Sequence, residues 1–129
     1  MPTVERVRTA EIVFLVGVGG FAGASLRHVV SLTVPGLGGT FAVNIAGCLM
    51  LGALAYEAEL AGFVAEETYY AAATGFCSSF TTYSTFALEL VRSPALVGAG
   101  YAVSTYAVGF AAVLVGRRAV RTLTGSVES

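Results

Sequence analysis

The chain has 129 residues, of which 56% are hydrophobic and 12% are charged, and its formal net charge is -1. This balance is not that of a soluble protein, and we expect a membrane protein that does not bind nucleic acid. Charged residues cluster outside a few long apolar stretches. Because about 20 apolar residues cross the hydrocarbon core, these stretches predict four transmembrane helices in a single membrane domain. Their approximate ranges are residues 11–34, 39–56, 68–90 and 94–116.

The first predicted helix carries the adjacent polar pair Arg27 and His28 and ends before Pro35. An intramembrane arginine is costly and attracts anions, but it can also reach the interface or cap a helix carbonyl. We favour a structural role for Arg27. His28 would be a ligand or a proton carrier only as a minor alternative to a structural or interfacial histidine. A secretory signal peptide is disfavoured because we expect no soluble domain after it.

The second predicted helix contains one amide side chain, Asn44, in otherwise apolar surroundings. Asn44 could form an interhelical hydrogen bond that stabilises the bundle, or it could face a polar pathway, and the sequence alone leaves both roles open. Gly47 lies one helical turn further on, where a small residue allows close helix packing.

The third predicted helix contains the segment GFCSSFTTYSTF, residues 75–86, in which serine and threonine alternate with aromatic residues without any charge. A bilayer cannot satisfy loose hydroxyls and broken backbone, so such a segment must line a cavity or lie buried in protein. The pattern therefore predicts a broken helix at a conduction site. Tyr83 and Phe86 are three residues apart and are expected to share a face.

The fourth predicted helix places Tyr101, Thr105 and Gly109 on one face at intervals of four residues. With four crossings, both termini and the second loop lie on one side of the membrane. That side has most of the arginines, so the positive-inside rule predicts that both termini are cytoplasmic. The arginines on this side are Arg6, Arg8, Arg117, Arg118 and Arg121.

Other kinds of site receive little support from the sequence. Cys48 and Cys77 both fall within predicted helices, where thiols behave as small apolar residues and a structural disulfide is not expected. Two cysteines and one histidine do not form a typical metal site. No nucleophile, base and orienting group can be assembled, so we do not expect an enzyme.

Three sequence segments together resemble the Fluc or CrcB family of fluoride channels. They are GGFAGASLR at residues 19–27, GTFAVNIAGC at residues 39–48, and the segment at residues 75–86. The resemblance covers all four predicted helices. It implies an all-α membrane fold with a break in the third helix, an antiparallel dual-topology dimer with two fluoride pores, and a structural sodium ion between the subunits.

The resemblance also implies roles for particular residues. Backbone carbonyls of Ser78 and Thr81 would hold the sodium ion, while Arg27 and Gly47 would be structural. Glu89 matches a glutamate at a vestibule, although a solvated interfacial charge explains it equally well. The implied fluoride-pore residues are Asn44, Thr82, Tyr83, Ser84, Thr85, Phe86, Tyr101 and Thr105.

The chain departs from the family pattern at a few of these positions. Tyr83 stands where the family has phenylalanine, Ser78 and Ser79 replace the usual glycines, and Gly109 has no side-chain donor. The tyrosine could narrow the pore, hold the anion or make that pore non-conducting. Serine permits a broken helix less readily than glycine, which weakens the sodium prediction.

Passive fluoride export is the leading hypothesis, with two alternatives. A four-span proton-coupled antiporter would need a carboxylate within the membrane, but Glu11 and Glu89 lie only at the ends of predicted helices. A membrane scaffold would leave the polar segment unexplained. The partner is either a second copy or an oppositely oriented paralogue, and the arginine bias slightly favours the paralogue.

Overall fold

The computed structural model describes residues 2–128, and within that range it contains helices and no strand. The prediction of an all-α protein is confirmed. Two π-helical segments, π1 (Glu57–Ala61) and π2 (Ala71–Cys77), interrupt the α-helical regions. The α-helices are α1 (Pro2–Thr33), α2 (Leu37–Tyr56), α3 (Glu66–Tyr70), α4 (Ser78–Phe80), α5 (Tyr83–Arg92) and α6 (Ala95–Glu128).

Three helices are long and apolar enough to cross a bilayer, and two of them extend beyond the predicted ranges. The helix α1 begins at Pro2 rather than near residue 11, and α6 continues to Glu128 rather than ending near residue 116. The added turns contain arginine, glutamate and alanine, which have high helix propensity. Charge patterning located the apolar stretches but not the helix ends.

The third predicted crossing, residues 68–90, corresponds to a succession of short elements from α3 to α5. Thr81 and Thr82 both have extended backbone, with φ/ψ angles of -80°/160° and -146°/118°. Extended residues cannot continue the helical hydrogen bonds, so the helix is interrupted at these two threonines. Ser78 and Ser79, where the family resemblance locates glycines, lie in the last helical turn before the interruption.

Small residues bring α1 close to π2 and α4. Gly23 lies directly against the Phe76 carbonyl, and Gly75 lies against the Val16 carbonyl, so a Cβ atom at either glycine would overlap the neighbouring backbone. This close contact anchors the part of the third crossing that precedes the interruption. The later part, α5, packs against α2 and α6.

The acidic segment that includes π1 and the start of α3 is tied to α1 and α6 by ion pairs. Arg8 of α1 contacts Glu66 at 2.6 Å and Glu67 at 3.2 Å, and Arg117 of α6 lies 3.9 Å from Glu59. Most of these groups are solvent-exposed, and such pairs contribute little to stability because water screens their charges. Their main consequence is geometric, because they place the segment at the same end of the bundle as both chain termini.

Candidate functional site

The interruption between α4 and α5 is bridged by the side chain of Asn44 from α2. Its Nδ2 donates to the Thr82 carbonyl at 3.0 Å, and the Thr82 N–H donates to Asn44 Oδ1 at 2.8 Å. The amide therefore satisfies both backbone groups of Thr82. Nδ2 has a second N–H, which makes no other hydrogen bond in the part of the chain that the structure describes. This geometry is compatible with both roles that the sequence left open for Asn44, namely an interhelical hydrogen bond that stabilises the bundle and a position facing a polar pathway.

The hydroxyls predicted to line a pore form a cluster at the start of α5. Thr82 Oγ1 accepts from the Thr85 N–H at 3.2 Å and lies 3.1 Å from Thr85 Oγ1 and 3.4 Å from Ser84 Oγ. Thr82 is thus the N-cap of α5, the position at which a hydroxyl satisfies a free helix N–H. Part of the hydrogen-bonding capacity of these residues is used to begin the helix.

Arg27 of α1 and Gly47 of α2 both contact the interruption. Arg27 Nη1 donates to the Thr81 carbonyl at 3.2 Å. Gly47 lies directly against the Thr81 methyl group, where a side chain at position 47 would overlap it. The thiol of Cys77 donates to the Gly47 carbonyl at 3.4 Å. These contacts fit the structural roles expected for Arg27 and Gly47.

Two backbone carbonyls at the interruption have the chemistry expected of sodium ligands. The Thr82 N–H donates to Asn44 and so leaves the Ser78 carbonyl, four residues earlier, without its helical donor. The Thr81 carbonyl accepts one hydrogen bond from Arg27 and has a second lone pair. Hard cations favour such oxygens. In residues 2–128, histidine, cysteine and carboxylate side chains form no group of three or more that could hold a metal ion.

The aromatic pair of α5 has one buried and one exposed ring. Phe86 is 4% exposed and Tyr83 is 74% exposed, with ring centroids 6.1 Å apart. Phe86 also packs against Tyr101 at 5.2 Å and makes an edge contact with Tyr106 at 6.1 Å, both on α6. Phe86 is therefore fixed by its neighbours, whereas the Tyr83 ring projects from the protomer.

A groove of about 460 Å³, the central groove, runs between α2, α6 and the interrupted crossing. It is lined by apolar, aromatic and neutral polar side chains, and none of its lining residues is charged. Thr105 Oγ1 is buried in this region without a hydrogen-bond partner among the described residues. Predicted pore residues that line the groove are Asn44, Thr82, Tyr83, Phe86 and Thr105.

A second cavity of about 210 Å³, the α1 cavity, lies between α1, α2 and the start of α5. Its lining is largely polar, and Thr82 lines both this cavity and the central groove. Thr85 faces only the α1 cavity, and Ser84 lines neither. The polar residues that line the α1 cavity are Arg27, His28, Ser31, Thr40, Thr82 and Thr85.

A carboxylate beside these cavities is held by two hydroxyls. Thr40 Oγ1 donates to Glu89 Oε1 at 2.8 Å, and the Tyr101 hydroxyl donates to Glu89 Oε2 at 2.9 Å. The structure thus brings Tyr101 to Glu89, and Tyr101 lines neither cavity. Thr40 was not among the predicted site residues, although it lies one helical turn before Asn44 on the same face of α2, which could have indicated it.

Comparison with known proteins supports a single family. Residues 14–117 match the family model described as CrcB-like protein, Camphor Resistance (CrcB). A Haloarcula marismortui protein named fluoride-specific ion channel FluC 1 is 55% identical over 117 residues, which cover 91% of each chain. A Natronomonas pharaonis protein of the same name is 49% identical over 111 residues, covering 84% of this chain and 93% of the relative. Halobacterium salinarum FluC 2 is 48% identical over 113 residues, covering 86% and 88%.

Proposed function

The chain belongs to the CrcB family, and from this membership and the site geometry we propose that it is a fluoride-selective channel of the cell membrane. Fluoride leaves the cytoplasm passively through the channel, which lowers its toxicity. A weak acid enters the cell as neutral HF and ionises inside, so the anion then leaves down its gradient without energy coupling. The uncharged lining of the central groove is the observation that carries this proposal.

The lining of the groove suits a small, strongly hydrated anion. A conducting site must replace water with donors and yet release the ion, so neutral donors serve better than a buried fixed charge. The available donors are the second N–H of Asn44 and the unpaired hydroxyl of Thr105. The rings of Tyr83 and Phe86 add edges with positive quadrupole density. Fluoride therefore meets polar and aromatic donors along one wall.

The remaining predicted pore residues surround or support the donor-bearing wall of the central groove. Thr82 and Thr85 lead from the groove to the α1 cavity, and Ser84 supports their hydroxyl cluster. Tyr101 acts through its ring contact with Phe86 and its hydrogen bond to Glu89. Glu89 stands at a vestibule, where the hydroxyls that hold it keep its carboxylate in place.

The channel is an antiparallel dual-topology dimer, formed either by two identical chains or with an oppositely oriented paralogue. Two features of the protomer support a partner, namely the exposed Tyr83 ring and the open central groove. The arginines near the termini support a cytoplasmic location of both ends of this chain, by the positive-inside rule. Expression of this gene alone followed by reconstitution distinguishes the two kinds of dimer, because fluoride efflux then requires a functional homodimer.

A structural sodium ion is held at the dimer interface by the carbonyls of Ser78 and Thr81. The Arg27 guanidinium beside the Thr81 carbonyl opposes a second positive charge, so we expect weak sodium affinity. Dimer stability and fluoride flux should be higher in sodium than in a large organic cation. Equal values in the two media would contradict a required sodium ion and would leave the fluoride pathway unaffected.

Efflux from liposomes measured with a fluoride electrode tests the main proposal. We expect fluoride to pass far faster than chloride when a potassium ionophore balances charge and no proton gradient is present. A requirement for proton exchange would favour the antiporter alternative, with Glu89 as its carboxylate. Equal chloride flux would contradict selectivity. Transport without catalysis also agrees with the ion-channel names of the relatives.

A further inference from the structure

The C-terminal part of α6 carries three arginines, and one of them is engaged by the rest of the protein. Arg117 Nη1 lies 3.9 Å from Glu59 Oε2, and the Arg117 guanidinium lies 5.7 Å from the centroid of the Tyr56 ring. Arg118 and Arg121 form no ion pair with any residue that the structure describes. Guanidinium groups stay protonated in proteins, so both charges are permanent. Within the described chain, two positive charges at this end therefore lack a counter-ion.

The direction in which the two unpaired arginines point follows from how α6 packs against α2. Gly116 lies directly against the Leu49 carbonyl, and Gly52 lies directly against the Val113 carbonyl. Gly116 and Val113 therefore belong to the face of α6 that meets α2. Successive helix residues are rotated by about 100°, so Arg118 lies about 200° around the helix from Gly116. Arg118 thus projects from the outer face of α6.

The unpaired arginines end an apolar stripe on this outer face. The stripe consists of residues that follow one another at intervals of three or four positions, namely Ala107, Ala111, Leu114, Arg118 and Arg121. Side chains three residues apart on a helix have Cβ atoms about 5–6 Å apart, so both guanidinium groups can reach one phosphate. The stripe thus presents small and apolar side chains first and two adjacent cations after them.

We propose that Arg118 and Arg121 bind the headgroup phosphate of an anionic phospholipid, with an acyl chain of the same lipid along Ala111 and Leu114. Guanidinium groups donate paired hydrogen bonds to phosphate oxygens, which favours arginine at such a site. The alanines leave room beside the helix for the acyl chain. This site is separate from the fluoride pathway and does not depend on the proposed channel function.

The acidic side chains of the neighbouring segment are paired with other arginines. Glu59 faces Arg117, while Glu66 and Glu67 both contact Arg8. These carboxylates therefore do not neutralise the outer face of α6. An anion from the bilayer is the complementary partner.

The central groove, where a second subunit would contact α6, lies on another side of the helix. Gly109 lines the groove, and Arg118 follows nine residues later. Nine residues correspond to about two and a half turns, so these two positions point in opposite directions. A partner that fills the groove therefore leaves Arg118 facing the lipid.

Native mass spectrometry of the full-length protein in a mild detergent tests the proposal, with phosphatidylglycerol and phosphatidylcholine as probes. We expect phosphatidylglycerol to bind more tightly than phosphatidylcholine. Arg118→Gln and Arg121→Gln together should weaken phosphatidylglycerol binding about 25-fold, because one arginine near anionic lipid strengthens binding about fivefold. Lysine at both positions should retain most of the binding. Arg117→Gln is the matched control and should change it less than twofold, since this arginine faces Tyr56 and Glu59.

An unchanged elution volume on size-exclusion chromatography verifies that each variant is folded. Glycerol 3-phosphate, which has the phosphate but no acyl chain, separates a lipid site from a free-phosphate site, and we expect it not to displace phosphatidylglycerol at equal concentration. Displacement would overturn the lipid assignment. Undiminished phosphatidylglycerol binding by the double glutamine variant, or an equal loss in Arg117→Gln, would overturn the assignment to the outer face of α6.

Discussion

The central groove and the α1 cavity meet at Thr82, yet their walls differ in chemistry. The groove is bounded by aromatic rings, thiols, an amide and a hydroxyl, without a charged residue. The α1 cavity is smaller and contains Arg27 and His28 beside several hydroxyls. The interrupted crossing separates them, because Thr82 is held between Asn44 of α2 and the first turn of α5.

The two walls suit two different tasks, which are the attraction of anions and their selection. A cationic wall attracts anions from solution, but deep within a low-dielectric pathway the same charge would hold the ion too strongly. A neutral wall with oriented donors replaces hydration and still permits release. If the chain conducts fluoride as proposed, we therefore expect attraction of anions in the α1 cavity and selectivity in the central groove. Variants that alter one region at a time test this difference.

Introducing into the central groove a positive charge like that of Arg27 in the α1 cavity should nearly abolish conduction. We expect Thr105→Lys to reduce fluoride flux at least a hundredfold, because a charge about 4 Å from the ion contributes about 4 kcal/mol at an effective dielectric constant of 20. Thr105→Met is the matched control, since it is also long but neutral, and should retain a larger share of the flux. Liposome efflux measures both variants. Equal losses would attribute the effect to size rather than charge.

Removing the Asn44 side chain, which holds Thr82 between the central groove and the α1 cavity, should have the next largest effect. Asn44→Ala leaves the N–H and C=O of Thr82 without partners, at a cost of about 1–3 kcal/mol for each group if it stays dry. Fluoride flux should fall at least tenfold, and the dimer should dissociate at a lower temperature on size-exclusion chromatography after heating.

Ser84→Ala is the control for the Asn44 variant. Ser84 belongs to the neighbouring hydroxyl cluster and lines neither cavity, so its removal should change both quantities little. Normal thermal stability of Asn44→Ala, combined with lost flux, would show that the amide acts on the ion and not on the backbone.

Sequence patterns predicted the helical class and a break within residues 75–86, with freed carbonyls at Ser78 and Thr81. They did not predict which residues leave the helix, and the structure has extended backbone at Thr81 and Thr82. The reason is a contact between residues that are far apart in the sequence. Asn44, 38 residues earlier in the chain, supplies the hydrogen bonds that Thr82 would lack after leaving the helix.

The polar neighbours of the site were harder to predict than its aromatic segment. A single threonine in an apolar helix is compatible with ordinary packing, and its partner Glu89 lies 49 residues later in the chain, so the sequence pattern did not predict this hydrogen bond of Thr40. The π-helical turns of π2 also have no clear sequence signal, because they depend on how Gly75 meets α1. Such features are determined by packing between distant segments.

Replacing the buried ring of the groove should reduce flux without disrupting the dimer. Phe86→Ile removes the ring edge at the groove but keeps an apolar side chain among Tyr101 and Tyr106, and we expect about a tenfold loss of flux, which corresponds to about 1.4 kcal/mol. Phe110→Ile, a change to an exposed ring of the same groove, is the control and should have a smaller effect. Similar losses of flux in the two variants would mean that Phe86 only packs against its neighbours and does not contact the ion.

The smallest expected effect is that of removing one oxygen atom at the boundary of the groove. The Tyr83 hydroxyl makes no hydrogen bond within the described residues, and its ring is exposed on the protomer, so Tyr83→Phe keeps the ring edge and removes only bulk and one polar group. Fluoride efflux should stay the same or increase by about twofold, which corresponds to less than 1 kcal/mol. Phenylalanine is also the residue that the family resemblance implies at this position. A sharp loss of efflux would instead mean that the hydroxyl binds the ion or the partner subunit, and the neutral wall would then include a donor that the aromatic pattern alone did not predict.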